Sequence, residues 1–151
     1  MSLLGFNDGA GSSTGNGYLD IVDFILRGCV NARQNLRELY RRVAFNILFG
    51  NTDDHFRNHG FLLTAKGWTL SPAYDINPFT KTHQRLLIDQ YTEESDINAL
   101  LGACESYMLE RKEAGEIIEE VRSAIRDWRN TATRLQISFK TLETYSKRWD
   151  Q

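Results

Sequence analysis

A repeated spacing of apolar side chains between residues 36 and 48 is the clearest pattern in the chain. Apolar residues recur there every three or four positions, which places them on one face of a helix; they are Leu36, Leu39, Tyr40, Val43, Ala44, Ile47 and Leu48. Asn35 and Glu38 resemble a capping pair at the start of this helix, and Gly50 is a typical terminator. We therefore predict a rigid helix that packs on the core and ends at the most polar stretch of the chain.

Three arginines fall on the opposite side of this predicted helix, at positions 37, 41 and 42. A row of cations on a helix is most often a solvated face, and we favour that interpretation. A patch that binds an acidic partner is the alternative.

Other apolar patterns predict further helices on both sides of the first one. Gly28 marks the end of an N-terminal buried helix, and Ser95 is the candidate cap of a short helix after the polar stretch. A longer amphipathic pattern with one apolar stripe follows, and a last helix ends the chain. These helices are predicted over residues 18–29, 95–104, 110–135 and 139–149.

Two short β-prone runs follow the polar stretch, at residues 60–64 and 68–70, with a Lys66-Gly67 turn between them. Such a pair predicts a β-hairpin, which folds the chain back so that residues before and after it can lie close together. Residues 85–90 are predicted to be another short strand or an extended segment. The expected fold class is therefore mainly α (α+β), with one small hairpin.

The N-terminal residues differ from the rest of the chain. Residues 5–17 contain five glycines and almost no apolar side chains, so a loop or a frayed end is predicted. A phosphate-binding loop is the other interpretation of clustered glycines, but no strand precedes them and no Gly-Lys-Ser/Thr closes them. We expect residues 1–17 to be a flexible N-terminal segment or an artificial junction, and residues 18–151 to form the domain.

Composition limits the classes of function. The 151 residues are 41% hydrophobic, enough for one core and most simply one domain. With 18 basic and 20 acidic residues there is no cationic surface for a phosphate backbone, so direct nucleic-acid binding is not expected. No apolar run approaches the ~20 residues of a membrane span. Cys29 and Cys104 lie far apart, which predicts reduced thiols in a cytoplasmic protein.

The polar stretch after the first helix carries the candidate chemistry. It consists of Gly50-Asn51-Thr52-Asp53-Asp54-His55-Phe56-Arg57-Asn58, and a second polar segment consists of Ser71-Pro72-Ala73-Tyr74-Asp75. Asp53 and Asn58 have the Asp-x-x-x-x-Asn spacing of a protein kinase catalytic loop. Asp75 follows the hairpin, where kinases place their main metal-binding aspartate. The order of these parts predicts a phosphotransferase.

Phosphoryl transfer needs a hydroxyl in line with the transferred phosphate and Mg²⁺ on the phosphate oxygens. Because Mg²⁺ prefers oxygen ligands and keeps part of its water shell, one carboxylate and one amide can suffice. Asp75 and Asn58 supply that pair and would hold the Mg²⁺ of ATP. Asp53 is the candidate base, and His55 is the candidate residue facing the transferring phosphate. Asp54 is either an anchor behind the loop or a turn residue.

A metal-dependent hydrolase is the competing interpretation of the same stretch. Its ligands would be drawn from Asp53, Asp54, His55, His59 and Asp75, which are all types that bind transition metals. His55 and His59 are four positions apart, as in a zinc protease helix. However, Phe56 stands where the glutamate of that motif is required, and no helical pattern runs through the pair. The kinase interpretation is therefore preferred.

At these two motifs the sequence resembles the HipA family, the kinase toxins of bacterial toxin–antitoxin systems. Members have a Gly-Asn-Thr-Asp-Asp-His-x-x-Asn loop and a later Ser/Thr-Pro-x-Tyr-Asp segment. The resemblance implies the helical C-terminal lobe of a kinase-like fold, and serine/threonine protein kinase chemistry with ATP and Mg²⁺. It also implies that Asp53 is the catalytic base, that Asn58 and Asp75 bind the metal, and that a protein substrate and a HipB-like DNA-binding antitoxin are partners.

The sequence also departs from that family. Members carry an N-terminal lobe with a phosphate-covering loop, an ATP-contacting lysine and a regulatory phosphorylation segment. No lysine of the Val-Ala-Ile-Lys type precedes the predicted catalytic helix. We therefore expect a fragment that has little kinase activity and weak ATP affinity by itself. The alternative function is a protein-interaction module that keeps the lobe fold without catalysis.

Overall fold

The computed structural model of the protein describes Gly5 and residues 10–150. Its regular elements within those residues are mainly helical, with one antiparallel hairpin, which confirms the predicted α+β class. The helices are α1 (Tyr18–Gly28), α2 (Ala32–Phe49), α3 (Ile97–Gly102), α4 (Arg111–Arg126), α5 (Trp128–Arg134) and α6 (Phe139–Trp149), and the strands are β1 (Phe61–Thr64) and β2 (Gly67–Leu70). None of the helices in this described part is long and apolar enough to cross a membrane.

Helix α2 is the centre of the fold, as its apolar periodicity predicted. It packs against α1, α3, α4 and α6. Leu36, Leu39 and Val43 on its apolar face are fully buried, and each such side chain contributes about 1.5–3 kcal/mol of transfer free energy. The end of α2 is therefore held from several sides, and the polar stretch begins from a fixed point.

The arginine side of α2 differs from the prediction of a solvated face. Arg37 binds Glu113, and Arg41 binds Glu120 at 3.0 Å, so both cations are paired with acids on α4. Partly exposed pairs of this kind contribute about 0–1 kcal/mol each. These pairs therefore contribute little to the free energy of folding, and their main role is to orient α4 relative to α2. Sequence periodicity could not reveal this pairing because the acids lie more than 70 positions away.

Asn35 has a different role from the predicted cap. Helix α2 starts earlier, after Asn31, and Asn35 is buried in its first turn. Its amide donates to Val30 O at 2.7 Å, and its carbonyl oxygen accepts from Thr69 Oγ1 at 2.9 Å and from Leu70 N at 2.8 Å. The capping prediction is wrong because the N-cap position is Asn31 and the side-chain oxygen of Asn35 accepts from the hairpin instead of from the first turn of α2. Asn35 thereby joins α2 to β2.

The predicted hairpin is confirmed, and β1 pairs with β2 from Phe61↔Leu70 to Thr64↔Gly67. Residues 85–90 form no regular strand. This extended segment is nevertheless part of the core, since Leu86 and Ile88 are fully buried. Its backbone also binds the N-terminal segment, because Leu87 N donates to Asn16 O at 3.2 Å.

The N-terminal segment falls partly outside the described residues, which omit residues 1–4 and 6–9. Residues 12–14 form one 3₁₀ turn, and Ser12 N donates to Arg85 O at 2.8 Å. Gly17 lies so close to Leu87 O that a Cβ atom would collide with it. The predicted boundary between residues 17 and 18 stays a prediction.

The long C-terminal helix predicted over residues 110–135 is interrupted. Helix α4 ends before Asp127 and α5 begins at Trp128. The break lets the Trp128 ring contact Trp149 on α6 at 5.4 Å between ring centroids, and its indole nitrogen donates to Asp150 at 2.9 Å. The single-helix prediction is wrong because tertiary aromatic contacts override a continuous stripe. The cap of α3 is Asp96, one residue after the predicted Ser95.

Candidate active site

The candidate loop starts at a glycine whose geometry no other residue fits well. Gly50 has a φ of 90°, the left-handed region that favours glycine, and its N–H donates to Asn46 O at 3.0 Å. A side chain at this position would collide with the Arg148 guanidinium. The carbonyl of Gly50 accepts from Phe79 N at 2.8 Å. Helix α6 and the segment after Asp75 therefore both meet the chain where α2 ends.

Asp54 is the anchor of the loop. Its side chain is 4% exposed, and Oδ2 accepts hydrogen bonds from Tyr18 Oη at 2.8 Å and Asn46 Nδ2 at 2.7 Å. His59 Nε2 lies 2.9 Å from the same oxygen. A buried carboxylate is costly unless donors surround it, and here three groups do so. Of the two roles open from the sequence, anchor or turn residue, the structure supports the anchor.

Tyr18 completes this buried network from α1. Burial, and next the nearby Asp54 carboxylate, raise the pKa of the Tyr18 phenol well above its ordinary value. The phenol therefore stays protonated and keeps donating to Asp54. Through this bond α1 is fixed to the loop.

Asp53 has the opposite environment. Its side chain is 47% exposed, and Oδ1 accepts from Arg85 Nε at 3.2 Å. The backbone N–H of Arg85 donates to Thr52 O, also at 3.2 Å. Arg85 thus holds both the backbone and the carboxylate of the loop, while the rest of the Asp53 carboxylate stays accessible. This arrangement suits a side chain that must reach a substrate.

His55 and Asn58 lie at the two ends of the short turn after Asp54. Residues 56–58 form a 3₁₀ turn, in which Asn58 N donates to His55 O at 2.8 Å. His55 Nε2 lies 3.3 Å from Arg57 Nη2, and His55 Nδ1 is buried without a hydrogen-bond partner among the described residues. The side-chain amide of the buried Asn58 likewise makes no hydrogen bond within that part of the chain.

The segment that precedes Asp75 contacts the loop after the hairpin. Ser71 N donates to Gly60 O at 2.8 Å, and Tyr74 Oη donates to Arg57 O at 2.6 Å. The residues that precede Asp75 and Asn58 are therefore in direct contact. Asp75 itself is exposed, has a φ of 56°, and accepts from Asn77 Nδ2 at 3.1 Å.

The donor set of Asn58 and Asp75 fits a magnesium ion. It offers one carboxylate and one amide oxygen, both hard ligands, and leaves room for waters and phosphate oxygens. No hydrogen bond joins the two side chains in the described structure, so both remain available as ligands. No cluster of three or more His, Cys, Asp or Glu side chains that could hold a metal occurs among the described residues. Two ligands of the hydrolase interpretation, Asp54 and His59, bind each other instead.

Sequence reasoning missed Asn46, Tyr18 and Arg85 as residues that support the loop. Asn46 could have been found, because it lies three positions after Val43 and so on the apolar face of α2. An amide on such a face usually has a buried hydrogen-bond partner. Tyr18 and Arg85 gave no such signal, since their partners are distant in sequence.

Comparison with known proteins identifies the family. The model of the HipA-like C-terminal domain matches residues 1–129. A Haemophilus influenzae (strain Rd) protein named "Putative kinase" is 32% identical over 75 residues, which are 47% of this chain and 22% of that protein. A chain in the solved complex of the Shewanella oneidensis MR-1 toxin–antitoxin system, HipA, HipB and operator DNA, superposes with a TM-score of 0.77 at 16% identity.

The matched segments are only a part of these relatives. The structural superposition covers 97% of this chain but 40% of the Shewanella chain, and it shows a shared fold. The resemblance inferred from the two polar motifs is confirmed by the family match, which spans most of the sequence. The chain belongs to the HipA-like C-terminal domain family.

Proposed function

We propose that this chain is the catalytic-lobe part of a HipA-like serine/threonine protein kinase, which transfers the γ-phosphate of ATP to a protein hydroxyl in a toxin–antitoxin context. Family membership and the relative named as a kinase support phosphotransfer. The observation that carries the proposal is the Tyr74–Arg57 hydrogen bond, because it sets the Asp75 segment beside the loop of Asp53 and Asn58. These are the parts that a kinase must bring together.

Each side chain then has a defined task. Asp53 orients the substrate hydroxyl and accepts its proton as the oxygen bonds to the γ-phosphorus and ADP leaves. Asn58 and Asp75 would hold Mg²⁺ on ATP, where the ion would neutralise charge on the phosphate oxygens. His55 lies within the same loop and would face the transferring phosphate. Arg85 restrains Asp53 through one hydrogen bond, and the other carboxylate oxygen has no partner within residues 10–150.

The partners and location follow from the same proposal. The substrate is a protein, and a HipB-like antitoxin is a further partner, since the structural neighbour was solved in a complex with HipB. We place the kinase in the bacterial cytoplasm, where Cys29 and Cys104, both free thiols in the structure, stay reduced.

Exchange of the proposed base tests the catalytic role. Asp53→Asn in the full-length kinase should lower turnover by about a hundredfold or more, the usual contribution of a positioned base. Asp23→Asn, which alters an exposed acid on α1, is the matched control and should leave turnover unchanged. Phosphate transfer to a protein substrate is measured for both variants. Equal rates for Asp53→Asn and wild type would refute the assigned role.

A protein-interaction module is the second candidate function, favoured by the structural neighbour having been solved in a complex with HipB and operator DNA. Capture of a neighbouring helix-turn-helix protein, with no phosphorylation by the full-length protein, would support it over the kinase. For the isolated chain we expect weak or absent ATP binding by calorimetry. Micromolar affinity would show that this lobe binds nucleotide without the rest of the kinase.

A further inference from the structure

The glycine-rich segment before α1 makes ordered contacts with the rest of the fold. Residues 11–17, which we call the glycine strap, lie along the extended segment that contains Arg85. Ser12 N donates to Arg85 O at 2.8 Å, and Asn16 O accepts from Leu87 N at 3.2 Å. The strap is therefore bound to this segment near both of its ends.

Two glycines of the strap leave no room for a side chain. A Cβ atom on Gly11 would lie 2.5 Å from Arg85 O, and a Cβ atom on Gly17 would lie closer still to Leu87 O. The φ of Gly11 is 174°, which any residue can adopt, so the need for glycine at position 11 comes from this contact alone. Both oxygens belong to the backbone and cannot rotate away. A side chain at position 11 would therefore push the strap and the Arg85 backbone apart.

Arg85 lies between the glycine strap and the loop that carries the proposed base. Its carbonyl accepts from Ser12 N, and its own N–H donates to Thr52 O at 3.2 Å. Its side-chain Nε donates to Asp53 Oδ1, also at 3.2 Å. Because all three groups are attached to one Cα atom, a shift of the carbonyl moves the other two groups with it. A displacement of the strap would thereby reach both the backbone and the carboxylate of the loop.

The side-chain contact between Arg85 and Asp53 depends on a fixed backbone. The Arg85 side chain is 66% exposed and the Asp53 side chain is 47% exposed. An ion pair this exposed is weak, and a long arginine side chain in solvent has many accessible rotamers. The backbone bonds of Arg85 to Ser12 and Thr52 limit where its guanidinium can lie. The strap thus supplies one of the two bonds that hold the residue in reach of the carboxylate.

We propose that the glycine strap positions the proposed base. The close contact of Gly11 and Ser12 with Arg85 sets the place of Arg85, and Arg85 sets the orientation of the Asp53 carboxylate. The proposal rests on the kinase function proposed above and adds positioning residues to that site. These residues act through Asp53, and neither of the proposed metal ligands belongs to this series of contacts.

The structural part of the proposal is tested by NMR spectroscopy of this chain, without a kinase assay. In Gly11→Ala the added Cβ displaces Arg85, so the amide resonances of Thr52 and Asp53 should shift. Gly102→Ala, at the end of α3, is the matched control because its added Cβ has no neighbouring atom within 4 Å, and it should leave both resonances in place. Resonances of α4 report whether each variant is folded. Unchanged Thr52 and Asp53 resonances in Gly11→Ala would overturn the proposal.

The effect on the base is tested by kinetics of the full-length kinase. Arg85→Ala alters an exposed side chain and should lower kcat by about tenfold, an effect of the order expected from misplacing a catalytic group. The KM for ATP should not change, because the proposed metal ligands are untouched. Arg85→Lys keeps a donor and should recover part of the lost kcat. A rise in the KM for ATP in place of a fall in kcat would contradict a positioning role.

A double variant shows whether the strap acts through Arg85. Gly11→Ala alone should lower kcat by about threefold to tenfold. The combined Gly11→Ala and Arg85→Ala variant should be no slower than Arg85→Ala, since both changes remove the same contact to Asp53. Losses that multiply would overturn the proposal. Failure of the kinase function gives a different result: wild type transfers no phosphate, while Gly11→Ala still shifts the Asp53 resonance and so supports the coupling of the strap to this residue.

Discussion

Asp53 and Asp54 are adjacent in sequence and have opposite surroundings. The Asp53 side chain is 47% exposed and has one arginine partner, whereas the Asp54 side chain is 4% exposed and is surrounded by three polar groups. The difference lies in their partners, since Asp54 faces Tyr18, Asn46 and His59 in the core whereas Asp53 faces the exposed Arg85. One acid can therefore fix the loop to the core while its neighbour stays free for a substrate.

The largest effect expected from this comparison is on stability. Asp54→Asn replaces the buried carboxylate with a neutral amide, so the acceptor shared by Tyr18, Asn46 and His59 loses its charge and a new NH2 group is buried beside it. We expect the free energy of unfolding to fall by about 3 kcal/mol. Asp53→Asn should change it by less than about 0.5 kcal/mol, since the residue is exposed. Urea unfolding of the two variants, followed by circular dichroism, measures both values.

Asp53→Asn should have the larger effect on turnover, and Asp54→Asn should have the larger effect on the free energy of unfolding. Asp53→Asn is expected to lower turnover without loss of stability, whereas Asp54→Asn should lower stability first. A similar stability loss in both variants would mean that the two acids share one structural role and that the contrast drawn from their exposure is wrong.

The sequence was sufficient for the elements formed by local patterns. The stripe of α2 and the two β-prone runs both predict what is observed, because each depends on neighbours within a few positions. The predicted Lys66-Gly67 turn is shifted by one residue, since Gly67 already pairs with Thr64 in β2 and the turn is Ala65-Lys66. The anchor role of Asp54 was only one of two interpretations, since its donor Tyr18 comes from 36 positions away. The break at Asp127 was missed for the same reason, because its cause is the contact of Trp128 with α6.

Removal of one donor to Asp54 should have a smaller effect than removal of the acid. Tyr18→Phe keeps the ring in the core but deletes the 2.8 Å hydrogen bond to Asp54 Oδ2. We expect a loss of about 1 kcal/mol in the free energy of unfolding near neutral pH, because Asn46 and His59 still serve the carboxylate. Thermal or urea unfolding at pH 7 checks this value.

The pH dependence of the same variant tests the cause of the raised Tyr18 pKa. A raised pKa in the folded state means that the neutral phenol stabilises the fold below the ordinary tyrosine pKa of 10.0, and that this stability is lost as the pH rises towards the folded value. The advantage of wild type over Tyr18→Phe should therefore stay constant below the ordinary pKa of 10.0 and shrink as the pH rises above it. A constant difference would show that Tyr18 does not titrate with unfolding.

The smallest effect on stability is expected at Asp150. This residue distinguishes the contribution of burial from that of the number of hydrogen bonds. Asp150 accepts from Arg129 Nη1 at 2.6 Å, from Arg129 Nη2 at 2.7 Å and from Trp128 Nε1 at 2.9 Å, yet its side chain is 38% exposed. Asp150 thus has as many close donors as Asp54, although Asp150 is exposed to solvent and Asp54 is buried. Asp150→Asn should cost far less stability than Asp54→Asn, because water replaces the lost bonds.

Titration of Asp150 gives an independent check on this last case. The Arg129 hydrogen bonds, and next the Trp128 indole, lower the pKa of the Asp150 carboxyl to about 2. Since the folded pKa is depressed, the contribution of this carboxylate is present above the ordinary value of 3.8 and is lost as the pH falls through about 2. Carboxyl carbon shifts measured by NMR follow the titration directly. If Asp150 titrates near pH 2 and Asp150→Asn still costs as much as Asp54→Asn, hydrogen-bond number rather than burial sets the contribution of an acid in this fold.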